Sequence, residues 1–147
     1  MNLIIDVGNT FVKFAVFQQD SLVEKKSVSG EFFLKEFKNI IKNHKEIDKC
    51  IISSVRKLNN QDVNYLQKKL KTFVLNSETK LPFKNLYETP KTLGVDRIAL
   101  VCASVEQFPD KNVLIIDAGT CITYDFITTK NEYLGGAISP GIRLRYQ

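Results

Sequence analysis

Apolar positions fall into short runs along the chain, and their spacing alternates between two periods. The first two runs, residues 3–7 and 11–17, are parted by the turn signal Gly8 and Asn9, and the second is rich in β-branched and aromatic residues as a strand is. Residues 21–29 read as a third strand. Over 31–43, Phe33, Leu34, Phe37, Ile40 and Ile41 recur at helical spacing with lysines between them. Residues 49–53 (KCIIS) predict a buried strand, 62–70 a second amphipathic helix carrying Val63, Leu66 and Leu70, and 72–75 a short strand. Pro82 and Pro90 make 76–93 read as loop. A helix is predicted over 95–107, with Ile98, Ala99, Val101, Cys102 and Val105 on its buried side. Apolar strands at 112–117 and 122–127 flank a turn, and 131–139 is a last strand entering GGAISPG.

Three strands followed by alternating helices and strands make an α/β layer fold. The opening LIIDVGNTFVKF returns as LIIDAGTCITYDF from Leu114 onward. This restart predicts two similar lobes: 1–110 as the first, and 111–147 as the start of a second that is incomplete at Gln147. The two motif aspartates would then stand at the ends of equivalent strands, facing each other across a cleft.

Composition narrows the class. With 147 residues, 44% hydrophobic and 25% charged, the chain has the size and balance of an ordinary soluble globular protein. No apolar run approaches the roughly 18 residues of a membrane span. The start MNLIID lacks the basic and apolar regions of a signal peptide, so a cytoplasmic location is expected. Cys50, Cys102 and Cys121 are dispersed and read as reduced thiols, the first two as small core residues. His44, in KNHKE, reads as a surface residue rather than a metal ligand. The net charge of +5 comes from scattered lysines with no interleaved aromatic platform, which argues against nucleic acid and leaves anionic small molecules as partners. No membrane partner is expected.

The chemistry lies in three places. At Asp6, Val7, Gly8, Asn9 and Thr10, glycine permits a tight turn whose amides can meet a phosphate, while Asn9, Thr10 and Lys13 add donors and positive charge. Asp6 beside a phosphate needs an intervening cation, so its natural role is to hold Mg²⁺, through water. The following segment is strand-like, which separates this loop from Walker and Rossmann loops. Asp-x-Gly turns are also common in plain hairpins. The second copy, Asp117, Ala118, Gly119 and Thr120 with Thr123 and Asp125 on the next strand, repeats the device. Between the copies stands Gly94-Val95-Asp96-Arg97 at the head of the predicted helix. Asp96 there can act as a helix cap, or as the general base for an attacking hydroxyl. Arg97 offers a planar fork to a carboxylate or phosphate.

Four ordered motifs, D-V-G-N-T-x-x-K (6–13), G-V-D-R (94–97), D-A-G-T-C-x-T-x-D (117–125) and G-G-A-I-S-P-G (135–141), resemble those of type III pantothenate kinases. These belong to the superfamily of acetate and sugar kinases, Hsp70 and actin. The resemblance implies duplicated actin-like (ribonuclease H-like) lobes with mixed sheets and flanking helices. It implies ATP-dependent phosphorylation of pantothenate to 4'-phosphopantothenate, the first step of coenzyme A synthesis. Asp6, Val7, Gly8, Asn9, Thr10, Phe11, Val12, Lys13 and Thr120 would bind ATP, and Asp96 would accept the proton. Tyr87, Gly94, Val95, Asp96 and Arg97 would contact pantothenate. Asp117 would hold a monovalent cation (K⁺ or NH₄⁺) alongside Mg²⁺. Family members are homodimers whose pantothenate site the partner subunit completes. Cys121 stands where the family more often has alanine, and the family continues beyond Gln147 with a helix, a substrate-contacting threonine and the rest of the second lobe. A non-catalytic or regulatory relative, or a kinase of another small alcohol or acid, are the alternatives.

Overall fold

In β1 (Asn2–Val7), Leu3, Ile5 and Val7 are buried and the residues between them are not, the period of two that a one-sided strand needs. The same alternation runs through β2 (Phe11–Gln18), where Val12, Phe14 and Val16 are buried. Together with β3 (Ser21–Ser29), β4 (Lys49–Ser54) and β5 (Lys71–Val74) they form a five-stranded sheet in the order β3-β2-β1-β4-β5. The β1–β2 and β2–β3 pairs are antiparallel, and β1–β4 and β4–β5 are parallel. Helix α1 (Phe33–Asn43) buries Phe33, Phe37 and Ile40, and α2 (Asn60–Lys69) buries Leu66. These meet Leu3, Ile5, Phe14, Cys50 and Ile52 in one core, with Phe14 stacked on Phe33 at 5.9 Å between centroids. Burial pushes the Cys50 thiol up to about 12, so it stays protonated as a core residue. The Asn59 side chain caps α2 by accepting from the Gln61 amide at 2.9 Å.

The computed structural model describes residues 1–146, and the chain divides into two compact units, Met1–Asn76 and Ser77–Gln147. The second unit holds β6 (Lys84–Asn85), α3 (Val95–Gln107), β7 (Val113–Ala118), β8 (Cys121–Ile127), β9 (Glu132–Pro140) and the short α4 (Ile142–Arg145). Its sheet runs β6-β9-β8-β7, antiparallel except for the β6–β9 pair. One expectation changes here. Residues 76–93 are not all loop: the Lys84 amide donates to Asn131 O at 2.8 Å and the Leu86 amide to Tyr133 O at 2.9 Å. A two-residue strand is too short to show a period. That pairing, and the packing of α3 on β7 and β8, place residues 77–110 in the second unit.

Directly opposed residues share a sheet face. On one face of the second sheet, Thr123, Asp125, Ile127 and Tyr133 are buried under α3, which contributes Arg97, Ile98 and Val101. The opposite face carries Leu114 and Ile116, each more than half exposed.

His44 is less peripheral than its neighbours suggested. It is half-buried, and Nε2 lies 2.6 Å from Glu24 Oε2 on β3. That hydrogen bond, reinforced by Lys26, holds the Glu24 carboxyl below the usual glutamate value.

Candidate active site

The first motif is the β1–β2 hairpin. The Gly8 amide donates to Phe11 O at 3.0 Å, so Gly8 closes the turn with its own N–H instead of presenting that group to a ligand. Asn9, Thr10 and Phe11 are exposed at the tip, whereas the Val7 and Val12 side chains belong to the core and leave only their backbone for a ligand. Asp6 and Lys13 are cross-strand partners, with Nζ 3.2 Å from Oδ2. Both are partly exposed, and such pairs are worth less than about 1 kcal/mol, so an incoming phosphate can draw the ammonium away. On the other side of Asp6, its β4 neighbour Ser53 has a buried hydroxyl without a partner among the described residues.

The second motif repeats the geometry. The Gly119 amide donates to Cys121 O at 2.9 Å, leaving Thr120 exposed at the turn. Asp117 is exposed opposite Thr123, whose Oγ1 is buried and likewise unpaired among the described residues. The GGAISPG segment returns against this turn: the Gly141 amide donates to Thr120 O at 3.0 Å, and any Cβ at Gly141 would run into the carbonyls of Gly119 and Thr120. Only glycine allows that approach.

The third motif starts α3. Gly94 is the N-cap, and Asp96 sits half-buried in the first turn with Oδ1 accepting from the Arg97 amide at 2.9 Å. A carboxylate at this end of a helix satisfies a free amide and suits the helix dipole. Arg97 turns inward. Its Nε donates to Asp125 Oδ1 and Oδ2 at 2.9 and 3.2 Å, and Nη2 donates to Asp125 Oδ1 at 2.6 Å and to the Tyr133 hydroxyl at 3.0 Å. Tyr133 donates in turn to Asp125 Oδ1 at 2.6 Å. The Asp125 and Arg97 side chains are 0% and 6% exposed. Burial opposes the guanidinium charge, but Asp125 more than offsets it and the net shift is upward. Burial and the adjacent carboxylate push the Tyr133 phenol well above its usual value. Tyr87 completes the cluster, its ring 5.6 Å from Arg97 Cζ and 6.2 Å from the Tyr133 ring. It lies against Gly135, whose φ is +107° and whose added Cβ would stand 3.0 Å from Tyr87 Cδ2. Gly135→Ala is therefore expected to lower stability by about 1–3 kcal/mol through backbone strain alone and to shift Tyr87 as well; a denaturation midpoint equal to wild type would contradict it.

Residues 2–147 match the family model described as type III pantothenate kinase. The chain belongs to the type III pantothenate kinase family. It is 53% identical over its whole length to the type III pantothenate kinase of Christiangramia forsetii, of which it covers 60%. The chain spans about 60% of the length of the curated relatives it matches. Among solved structures, a Campylobacter jejuni protein named as a conserved Baf family transcriptional activator superposes with a TM-score of 0.58 at 25% identity, covering 96% of this chain and 55% of that one. The Aquifex aeolicus Ppx/GppA phosphatase, at 15% identity and a TM-score of 0.53 over 97% and 53% of the two chains, shares the fold alone. The fold is the actin-like one, with mixed sheets and flanking helices.

In this family member the expected residues gather by unit. Asp6, Gly8, Asn9, Thr10 and Lys13 share one hairpin in the first unit. Tyr87, Asp96 and Arg97 come together in the second, where Asp117 and Thr120 stand at the β7–β8 turn. Asp125, read from the sequence as part of the repeated phosphate device, accepts from Arg97 and Tyr133 in the buried cluster. Tyr133 had no signal in its surroundings. No group of three or more His, Cys, Asp or Glu side chains that could hold a metal ion occurs among the described residues. Among the described residues the donors there are single carboxylates, each beside a hydroxyl without a partner: Asp6 with Ser53, and Asp117 with Thr123. All-oxygen sites with one carboxylate fit hard cations that keep waters or share phosphate oxygens.

Proposed function

We propose that this kinase-family chain serves the ATP-dependent phosphorylation of pantothenate to 4'-phosphopantothenate, the entry to coenzyme A synthesis. The observation that carries the reading is Asp96, a half-buried carboxylate tethered through Oδ1 at the head of α3 beside the inward-turned Arg97. Asp96 accepts the proton of the primary hydroxyl as that oxygen attacks the γ-phosphorus and ADP leaves. Residues 6–13 and Thr120 bind the phosphates of ATP, with Lys13 released from Asp6 to meet them. Tyr87 and residues 94–97 contact pantothenate. Asp6 would hold Mg²⁺, through water, and Asp117 a monovalent cation, K⁺ or NH₄⁺; when bound, these ions neutralise phosphate charge. The protein carrying this chain works in the cytoplasm as a homodimer.

The test is ADP release from ATP, Mg²⁺ and K⁺ across a panel of small alcohols and acids. Pantothenate is expected to be the preferred acceptor by kcat/KM, and another compound leading the panel would reassign the substrate. The name of the Campylobacter jejuni structure favours a second reading, a regulatory relative, which predicts nucleotide binding without transfer to any member of the panel.

A further inference from the structure

We propose that Asp125 and Tyr133 are positioning residues for the acceptor: they fix Arg97 so that only its Nη1 edge is left to recognise the acceptor's carboxylate. The inference rests on the reading that Arg97 contacts pantothenate. A guanidinium carries five N–H donors in one rigid plane. Here Nε–H and one Nη2–H go to Asp125, and the other Nη2–H goes to the Tyr133 oxygen. Those three donors take up the side-on edge and the Nη2 half of the end-on edge, so the covalent geometry leaves the two donors of Nη1. The fork that a carboxylate would normally grip side-on is thus already taken.

Charge follows the same logic. Asp125 cancels the Arg97 charge within the buried cluster, so an incoming carboxylate gains from aligned donors more than from net attraction. Orientation then controls affinity, and three contacts set it: the carboxylate, the Tyr133 hydroxyl and the Tyr87 ring. The arrangement reaches Asp96 as well, because the Arg97 amide is the donor to Asp96 Oδ1. A buried ion pair is seldom the most stabilising way to fill such a space, since apolar residues of similar volume usually do as well or better. Its place one residue from Asp96 is what a positioning role requires.

The test is steady-state kinetics of Tyr133→Phe, which keeps the ring and its packing against Phe83 and Tyr87. The KM for pantothenate should rise about tenfold, the scale of one lost net hydrogen bond, while the KM for ATP stays within about twofold. Arg97→Lys, which keeps the charge but loses the plane, should raise the same KM at least as far. An unchanged pantothenate KM in either folded variant overturns the positioning role and leaves the kinase reading intact. A wild-type protein that never phosphorylates pantothenate overturns both, so the two failures are distinct.

Discussion

Asp96→Asn is expected to lower kcat for pantothenate phosphorylation by about 10²–10⁴-fold, the range typical of a lost general base. The asparagine keeps a carbonyl oxygen to accept from the Arg97 amide, the 2.9 Å bond that Asp96 makes now. The head of α3 should therefore survive, with a loss of helix-terminus charge worth about 0.3–1 kcal/mol. Catalytic and structural roles separate cleanly at this residue. A pure cap would leave kcat near wild type and lower only the midpoint; a base lowers kcat by orders of magnitude beside that small loss of stability. Kinetics and a denaturation curve on the same sample decide between them.

Asp125→Asn carries the largest expected effect on stability. The Asp125 side chain has no exposure, and Arg97 has almost none. Removing one partner strands the other charge in a low-dielectric interior, at a cost of about 3–5 kcal/mol. Urea unfolding should show a matching fall at constant slope. Replacing Arg97 and Asp125 together by apolar residues should recover most of that loss while leaving acceptor binding impaired. A single variant losing under about 1 kcal/mol would mean that Arg97 reaches water in solution, against its burial here.

Much of the fold was legible because periods are local. Leu3, Ile5 and Val7 alternate within one strand, and Phe33, Phe37 and Ile40 lie on one helical face, so neither needs knowledge of distant residues. The third strand and the Val95–Gln107 helix fall where the sequence places them. What stayed hidden depends on long-range contact. In β8 the alternation sets Ile122, Tyr124 and Phe126 against Thr123, Asp125 and Ile127, and simple hydrophobicity would bury the first set. The structure buries the second more deeply, because α3 covers that face and Arg97 supplies the charge that Asp125 needs. Tyr133 joins them from β9 across a register shift, and β6 is too short to announce itself. His44 meets Glu24 from twenty residues away, for the same reason.

The site shows the same division. The hairpin aspartates, Gly94-Val95-Asp96-Arg97 and their chemistry were readable as strings of residue types. Which edge of Arg97 remains for a ligand was not, since that depends on two side chains 28 and 36 positions away.

The most direct test is to identify the product formed by the purified protein with ATP, Mg²⁺, K⁺ and pantothenate, by mass spectrometry and phosphorus NMR. 4'-Phosphopantothenate and ADP are expected in equal amounts, and neither in the absence of pantothenate. ADP formed without phosphopantothenate, or nucleotide bound with no product, would contradict it.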